Sequence, residues 1–331
     1  MQEISQILAA LAAAPGKAAA LATLVKIEGS SYRRPGARLL LLADGAHLGS
    51  ISGGCLEEDV VLRARRVLES GRPELVTYDT TAENDLVWGV GLGCQGVVHI
   101  LIEALPAARP RWIGALAENL RSRRATDLAV VYGETAGGIN GTDLAAALPA
   151  TATTVFRQTV SAPPALVIFG AGDDARPLAR LAKETGWDVT VADTRPAYAT
   201  AARFPEADVI LPGSDEDIAG RLGLDDRSFA VVMTHRYVED RRILRALLAR
   251  PPAYLGVLGP RSRTDRLLAE LKNEGIEPTA ATAARLHAPV GLDLGGDTAA
   301  AVALSILAEM QGRLSGRTPA HLRDRPGPIH G

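Results

Sequence analysis

Two hydrophobic rhythms run along this chain, and the change from one to the other divides it. Residues 4–14 carry Ala, Ile and Leu at helical spacing, predicting a short helix. After a Pro-Gly break, AAALATLVKIEG (18–29) predicts a strand. ARLLLLADGAHLGSIS (37–52) predicts a hairpin, with apolar strands on either side of Asp44-Gly45, a dipeptide suited to positive φ. From Leu56 onward Val60, Val61, Ala64, Val67 and Leu68 share one helical face, and Gly71 and Pro73 end that helix. ELVTYDT (74–80) and VVHILIEAL (97–105) predict further strands. Between 106 and 164 the pattern weakens, and DLAVVY (127–132) and TTVFRQTV (153–160) read as strands. SAPP (161–164) marks a boundary. Beyond it, residues 165–196 spell a strand, a glycine turn, a helix and a strand, which is a βαβ unit. ADVILP (207–212), FAVVMTH (229–235) and AYLGVLG (253–259) are strands followed by helical patterns, which predicts a parallel sheet covered by helices.

The expectation is an α/β protein with an N-terminal α/β domain over 1–160, a linker at 161–164 and a Rossmann-like domain over 165–331. A length of 331 residues and an apolar fraction of 47 % allow two sizeable cores. Aromatic residues make up only 4 %, so those cores must be built of Ala, Leu, Val and Ile. The formal net charge of −2 gives no basic field for nucleic acid. No uncharged apolar run reaches the ~18 residues of a membrane span, and acidic Glu3 with no basic n-region argues against a signal peptide. Two cysteines make no disulfide framework. A cytoplasmic setting, without nucleic-acid or membrane partners, is therefore expected.

Both cysteines sit among glycines. Cys55 follows Gly53-Gly54 at the mouth of the helix that begins near Leu56. Helix-end amides favour a thiolate as nucleophile or metal ligand, while Glu57, Glu58 and Asp59 work against it. The alternative is a small cysteine buried beneath the helix. Cys94 lies in GLGCQG (91–96), directly after Gly93, with no Cys-x-x-Cys or Cys/His spacing of a zinc site. The two thiols could converge as soft sulfur ligands or be unrelated core cysteines. SSYRRPGAR (30–38) offers guanidinium forks for phosphate or carboxylate, with Arg34 and Arg38 favoured over Arg33. A solvated charged turn is the other reading.

In the second half, Gly170 permits a tight turn, Gly172 permits close approach of a phosphate, and Ala175 suits helix–strand packing. Asp193 ends the next strand, 21 residues past Gly172, where an acid can bond ribose hydroxyls. Asp173 and Asp174 stabilise the helix start but repel a pyrophosphate. His235 falls at the carboxyl end of a predicted strand, with Arg261 and Arg263 at the same edge. His99 alternates within a strand and reads as structural. Asp297 or Thr298 is expected to cap an Ala/Leu helix.

Taken in order, EGSSYRRPGARLLL, GSISGGCLEEDV, GLGCQG, LVIFGAGDDARPLARLA, MTHRY, YLGVLGPRSRT and PVGLDLGGDTAAAVALSILAEM resemble the XdhC/CoxI family, the accessory factors of xanthine dehydrogenase and related molybdenum hydroxylases. The resemblance implies an accessory factor rather than an enzyme with its own turnover. It implies a chaperone that binds the molybdopterin cofactor, with or without a nucleotide. Such a chaperone holds the cofactor while a cysteine desulfurase installs its terminal sulfur, then delivers it to the hydroxylase client. It also implies a homodimer. Gln95 and Asp173 depart from the family pattern, which often reads Gly-Cys-Gly-Gly at the first place and has histidine at the second. On this reading Cys55 and Cys94, with Gly53, Gly54 and Gly93, face the metal and sulfur of the cofactor. Arg34 and Arg38, or the turn of Gly170 and Gly172 with Asp193 and His235, hold its phosphate end. The first rival is an NAD(P)-dependent oxidoreductase using Gly170, Gly172 and Asp193, with His235 as its proton donor. The second is a scaffold that docks desulfurase to hydroxylase.

Overall fold

Strand β1 (Ala19–Gly29) is the axis of the first half of the chain, and its first seven residues are all buried. It pairs antiparallel with β2 (Arg38–Leu42) on one side and β5 (Gly96–Leu105) on the other. β3 (His47–Gly49) and β4 (Glu74–Asp79) form the edges, giving the order β3-β2-β1-β5-β4. A strand covered on both faces reads as a continuous apolar run, and both faces here are covered. On one, Ala20, Ala22 and Leu24 meet Val60, Ala64 and Val67 of α2 (Glu57–Ser70). On the other, Ala19 and Leu21 meet Ile4, Ile7 and Leu11 of α1 (Gln2–Ala13) and Trp112 and Leu116 of α3 (Arg111–Arg121). A second, three-stranded antiparallel sheet has the order β7-β6-β8, from β6 (Thr126–Val131), β7 (Gly141–Leu144) and β8 (Val155–Val160). The computed structural model describes residues 2–79, 96–133, 141–148, 152, 154–213, 222–225 and 227–326. The chain divides into two compact units, Met1–Ala162 and Pro163–Gly331.

The second unit is built on a six-stranded parallel sheet. Its strands are β9 (Ala165–Phe169), β10 (Asp188–Asp193), β11 (Val209–Pro212), β12 (Ser228–Val232), β13 (Tyr254–Val257) and β14 (Leu286–His287). The order β11-β10-β9-β12-β13-β14 means that the chain starts in the middle, winds outward and returns to the other side of β9. That is the doubly wound Rossmann arrangement, which opens a crevice at the carboxyl ends of β9 and β12. On one face α4 (Ala175–Glu184) and α8 (Ala299–Ser315) cover Leu166, Ile168, Val189 and Val191. On the other α5 (Tyr237–Ala249) and α6 (Arg261–Asn273) cover Val167, Phe169, Val232 and Leu255. The short α7 (Ala280–Ala283) precedes β14. Thr298 caps α8 by accepting from the Ala301 amide at 3.2 Å. Among the described residues no helix is long and apolar enough to cross a membrane.

Candidate functional site

Cys55 is an exposed free thiol two residues before α2, so it is not a core cysteine packed beneath that helix. The loop that displays it is folded around the carboxylate of Glu57. Oε1 accepts from the Ser50 hydroxyl at 2.8 Å, the Ile51 amide at 3.1 Å and the Ser52 amide at 2.8 Å. Oε2 accepts from the Ser52 hydroxyl and from the Leu56 amide at 3.2 Å. Ser52 Oγ in turn accepts from the amides of Gly54 and Leu56 at 3.2 and 3.1 Å. Burial opposes charge on Glu57, but the bonds from Ser52 and Ser50 outweigh it and hold the carboxyl down at about 2. The amides of Ile51, Ser52 and Leu56 are thus already engaged by the chain's own carboxylate. Gly54 adopts φ 111°, a conformation that L residues rarely take. A Cβ on Gly53 would sit 3.6 Å from the Tyr32 ring, so this loop abuts the arginine turn. Asp59 is bound by Arg63 and by the Tyr78 hydroxyl, each at 2.6 Å. Gly93 and Cys94 lie outside the described residues.

The arginine turn is pinned from α1. Glu3 accepts from the Arg38 amide at 2.7 Å and from the Arg33 guanidinium. Arg34 is exposed and makes no ion pair among the described residues. Arg38, expected beside Arg34 as a phosphate fork, is instead 2 % exposed. Its Nη1 donates to the Gly36 carbonyl at 3.0 Å and to Gln158 at 2.9 Å. It pairs with Thr23 in the buried first part of β1, which places its side chain inside the unit. Buried Glu103 accepts from the Thr142 amide at 3.0 Å and from the Thr142 hydroxyl. Burial pushes Arg38 down and Glu103 up, and the charge of each partly opposes the shift of the other. Arg38 is therefore part of the interior and cannot reach an outside phosphate as a surface fork would.

At the carboxyl edge of the parallel sheet, Gly170 has φ 115°, and a Cβ there would lie 2.5 Å from the Met233 carbonyl oxygen. The turn after β9 runs that close to the end of β12. Asp193, at the end of β10, is 4 % exposed. Its Oδ2 accepts from the Ala171 amide and from Arg195 Nη2, both at 2.7 Å. Its Oδ1 accepts from the Arg195 amide at 2.8 Å and Nε at 2.9 Å. Burial opposes that charge, and the bonds from Arg195 and Ala171 hold the carboxyl below its usual range. A ribose would have to displace Arg195 to use it. Asp174 caps its own Ala175 amide at 3.1 Å and meets His235 Nε2 at 2.6 Å. His235 is itself held at φ 59°. Asp173 is paired with Arg203 at 2.9 Å. A Cβ on Gly172 would lie 2.5 Å from Asp174 Oδ1, so this glycine makes room for the turn's own carboxylate. Arg263 is bound to fully buried Asp240, and Arg261 is exposed. His99 contacts Thr77 across the strands at 3.0 Å.

Glu57, Arg195 and the Asp174–His235 contact were not among the residues the sequence singled out for these roles. The Asp193-Thr194-Arg195 spacing at a strand end was a usable signal for the second. The third joins positions too distant in sequence for any local pattern. Among the described residues no group of three or more His, Cys, Asp or Glu side chains could hold a metal ion.

The class defined by these features is an α/β protein that joins a glycine-loop thiol unit to a Rossmann unit. Residues 12–79 match the family described as the XdhC and CoxI family, and residues 166–310 match the XdhC Rossmann domain. The chain is 34 % identical over 312 residues to a Bacillus subtilis protein named as a probable xanthine dehydrogenase subunit, covering 88 % of this chain and 92 % of that one. It is 29 % identical over 309 residues to the Escherichia coli molybdenum cofactor insertion chaperone PaoD, covering 89 % and 83 %. The crystal structure of a Bacillus halodurans protein described as a xanthine dehydrogenase superposes with a TM-score of 0.81 at 28 % identity, covering 98 % of each chain. This chain belongs to the XdhC/CoxI family.

Proposed function

We propose that this protein is a maturation factor for a xanthine dehydrogenase-type molybdenum hydroxylase, and that it carries the molybdenum cofactor as cargo to that client. The observation that carries the reading is the exposed Cys55 thiol on a loop fixed by Glu57. A thiol is a soft donor, matched to molybdenum and to the sulfur chemistry of the pterin dithiolene. Exposed Arg34, on the turn that reaches the Gly53 loop through Tyr32, supplies a cation for the phosphate end. In the Rossmann unit the turn of Gly170 and Gly172, with His235 beside it, is the second place where part of the cofactor could rest. The names of the Bacillus subtilis and Escherichia coli relatives support the same role. Holding the cofactor during sulfuration by a cysteine desulfurase, and working as a homodimer, belong to this proposal. The nicotinamide alternative fits less well, because Arg195 and the Ala171 amide already engage Asp193.

Native mass spectrometry of the protein from a cofactor-making host tests the reading. The wild type is expected to retain a molybdopterin species, and Cys55→Ser to lose most of it. A wild type that never carries pterin, yet still supports its client, would leave the scaffold role in its place.

A further inference from the structure

We infer that the amino-terminal edge of the Rossmann sheet carries an anion site, a cavity built by Arg227, Arg285 and Arg313 that accepts a phosphate-bearing small molecule. In a parallel sheet all strand starts lie at one edge, opposite the crevice of Asp193 and His235. Arg227 directly precedes β12, Arg285 directly precedes β14, and Arg313 lies in the last turn of α8. With Phe229, Ala253 and Leu314 they line a cavity of about 390 Å³. That size suits a small organic anion rather than a single halide.

Charge selects the ligand. Among the described residues no carboxylate lines the cavity. Arg285 and Arg313 make no ion pair among the described residues, whereas Arg195, Arg203, Arg241 and Arg263 of the same unit are all paired with acids. Arg285 Nη1 lies 3.4 Å from the carbonyls of both Pro251 and Pro252, which orients its guanidinium and leaves the remaining donors for a ligand. The carbonyl end of α8 accounts for a cation at Arg313, but not for Arg285, which precedes β14. Arg285 and Arg313 bring like charge to one cavity and repel one another, and an anion between them offsets that repulsion. Guanidinium forks match phosphate oxygens in pairs. A localised pocket, rather than an extended basic stripe, favours a free small molecule over nucleic acid.

The inference is independent of the proposed cofactor role, and cofactor-free protein tests it. Calorimetric titration with inorganic pyrophosphate should give one saturable site that weakens as salt is raised. Arg285→Gln and Arg313→Gln should each weaken it by about tenfold, the size of one charge-assisted contact. The double variant should lose it while keeping the wild-type unfolding transition. Arg180→Ala, an exposed position on α4 outside the cavity, should bind as the wild type does. Three results would each overturn the inference: no saturable heat, a folded double variant with unchanged affinity, or sulfate binding as tightly as pyrophosphate.

Discussion

Glu57 accepts a hydrogen bond from the Ser52 backbone amide at 2.8 Å, so the first residue of α2 reaches back into the loop that displays Cys55. An N-terminal helix acid usually interacts with its own helix end. Here the carboxylate also gathers the amides of Ile51, Ser52 and Leu56 and the hydroxyls of Ser50 and Ser52. The thiol therefore sits on a shape set by one anion, and the chemistry of the loop depends on that anion staying charged.

Removing it should loosen the loop. Glu57→Ala leaves several buried donors without an acceptor and should cost about 1–3 kcal/mol in chemical denaturation. The pH dependence has a definite sign. The folded carboxyl is depressed to about 2 from an ordinary 4.5, so its contribution is complete above about pH 4.5 and is lost as pH falls toward about 2. The stability gap between wild type and Glu57→Gln should therefore narrow across that window. A gap that stays constant with pH would mean that the carboxylate charge does not hold the loop.

Cys55 should be chemically available and structurally dispensable. It is exposed, so Cys55→Ser should change the unfolding free energy by no more than about 0.5 kcal/mol. In the native state iodoacetamide should label Cys55 at a rate close to that of an open thiol, followed by intact-mass measurement. Labelling of Cys55 only after denaturation would show the thiol to be shielded.

Much of this architecture was legible because it rests on local rhythm. The continuous apolar run of β1, the Asp44-Gly45 hairpin, the Val60–Ala64–Val67 face and the Thr298 cap each follow from spacing or turn chemistry. Helix α3 was not, because Trp112, Ile113 and Leu116 alone form its buried stripe. The position of Cys55 at a helix mouth was also readable. The use of Glu57 was not, because a carboxylate beside a thiol reads as simple repulsion until its hydrogen-bond donors are placed. Arg38 misled for a related reason. A charged residue in an arginine-rich turn looks solvated, and only the pairing of β2 with the buried β1 carries it inward. Function at the Rossmann edge was obscured in the same way, since Asp193 sits where a ribose acid would but is engaged by Arg195.

Arg34 and Arg38 should separate sharply on substitution. Arg34→Ala removes an exposed side chain and should leave stability within about 0.5 kcal/mol. Arg38→Ala strips a buried cation from Gln158 and from the field of Glu103 and should cost about 3–5 kcal/mol, the range for breaking a buried charge arrangement. Urea unfolding of both variants checks this. If cofactor retention is lost in Arg34→Ala with stability intact, the exposed arginine acts on the cargo. Equal, small stability effects at both positions would contradict the interior role of Arg38.

The turn after β9 should serve the fold even without a dinucleotide. Gly170→Ala would combine φ 115° with a Cβ 2.5 Å from the Met233 carbonyl, and neither backbone can yield cheaply. A loss of more than about 1 kcal/mol is expected. Asp193→Asn removes the charge that Arg195 grips from both sides and should cost about 1.5–3 kcal/mol. Because the wild-type carboxylate is already engaged, NADH fluorescence titration should show no saturable binding in the millimolar range. Arg195→Ala makes the test stringent, because it frees Asp193 for a ribose. If that variant gains tight NADH binding, the ribose geometry is intact and only the arginine blocks it. If neither protein binds, the turn has kept the Rossmann path for the sake of packing β9 against β12.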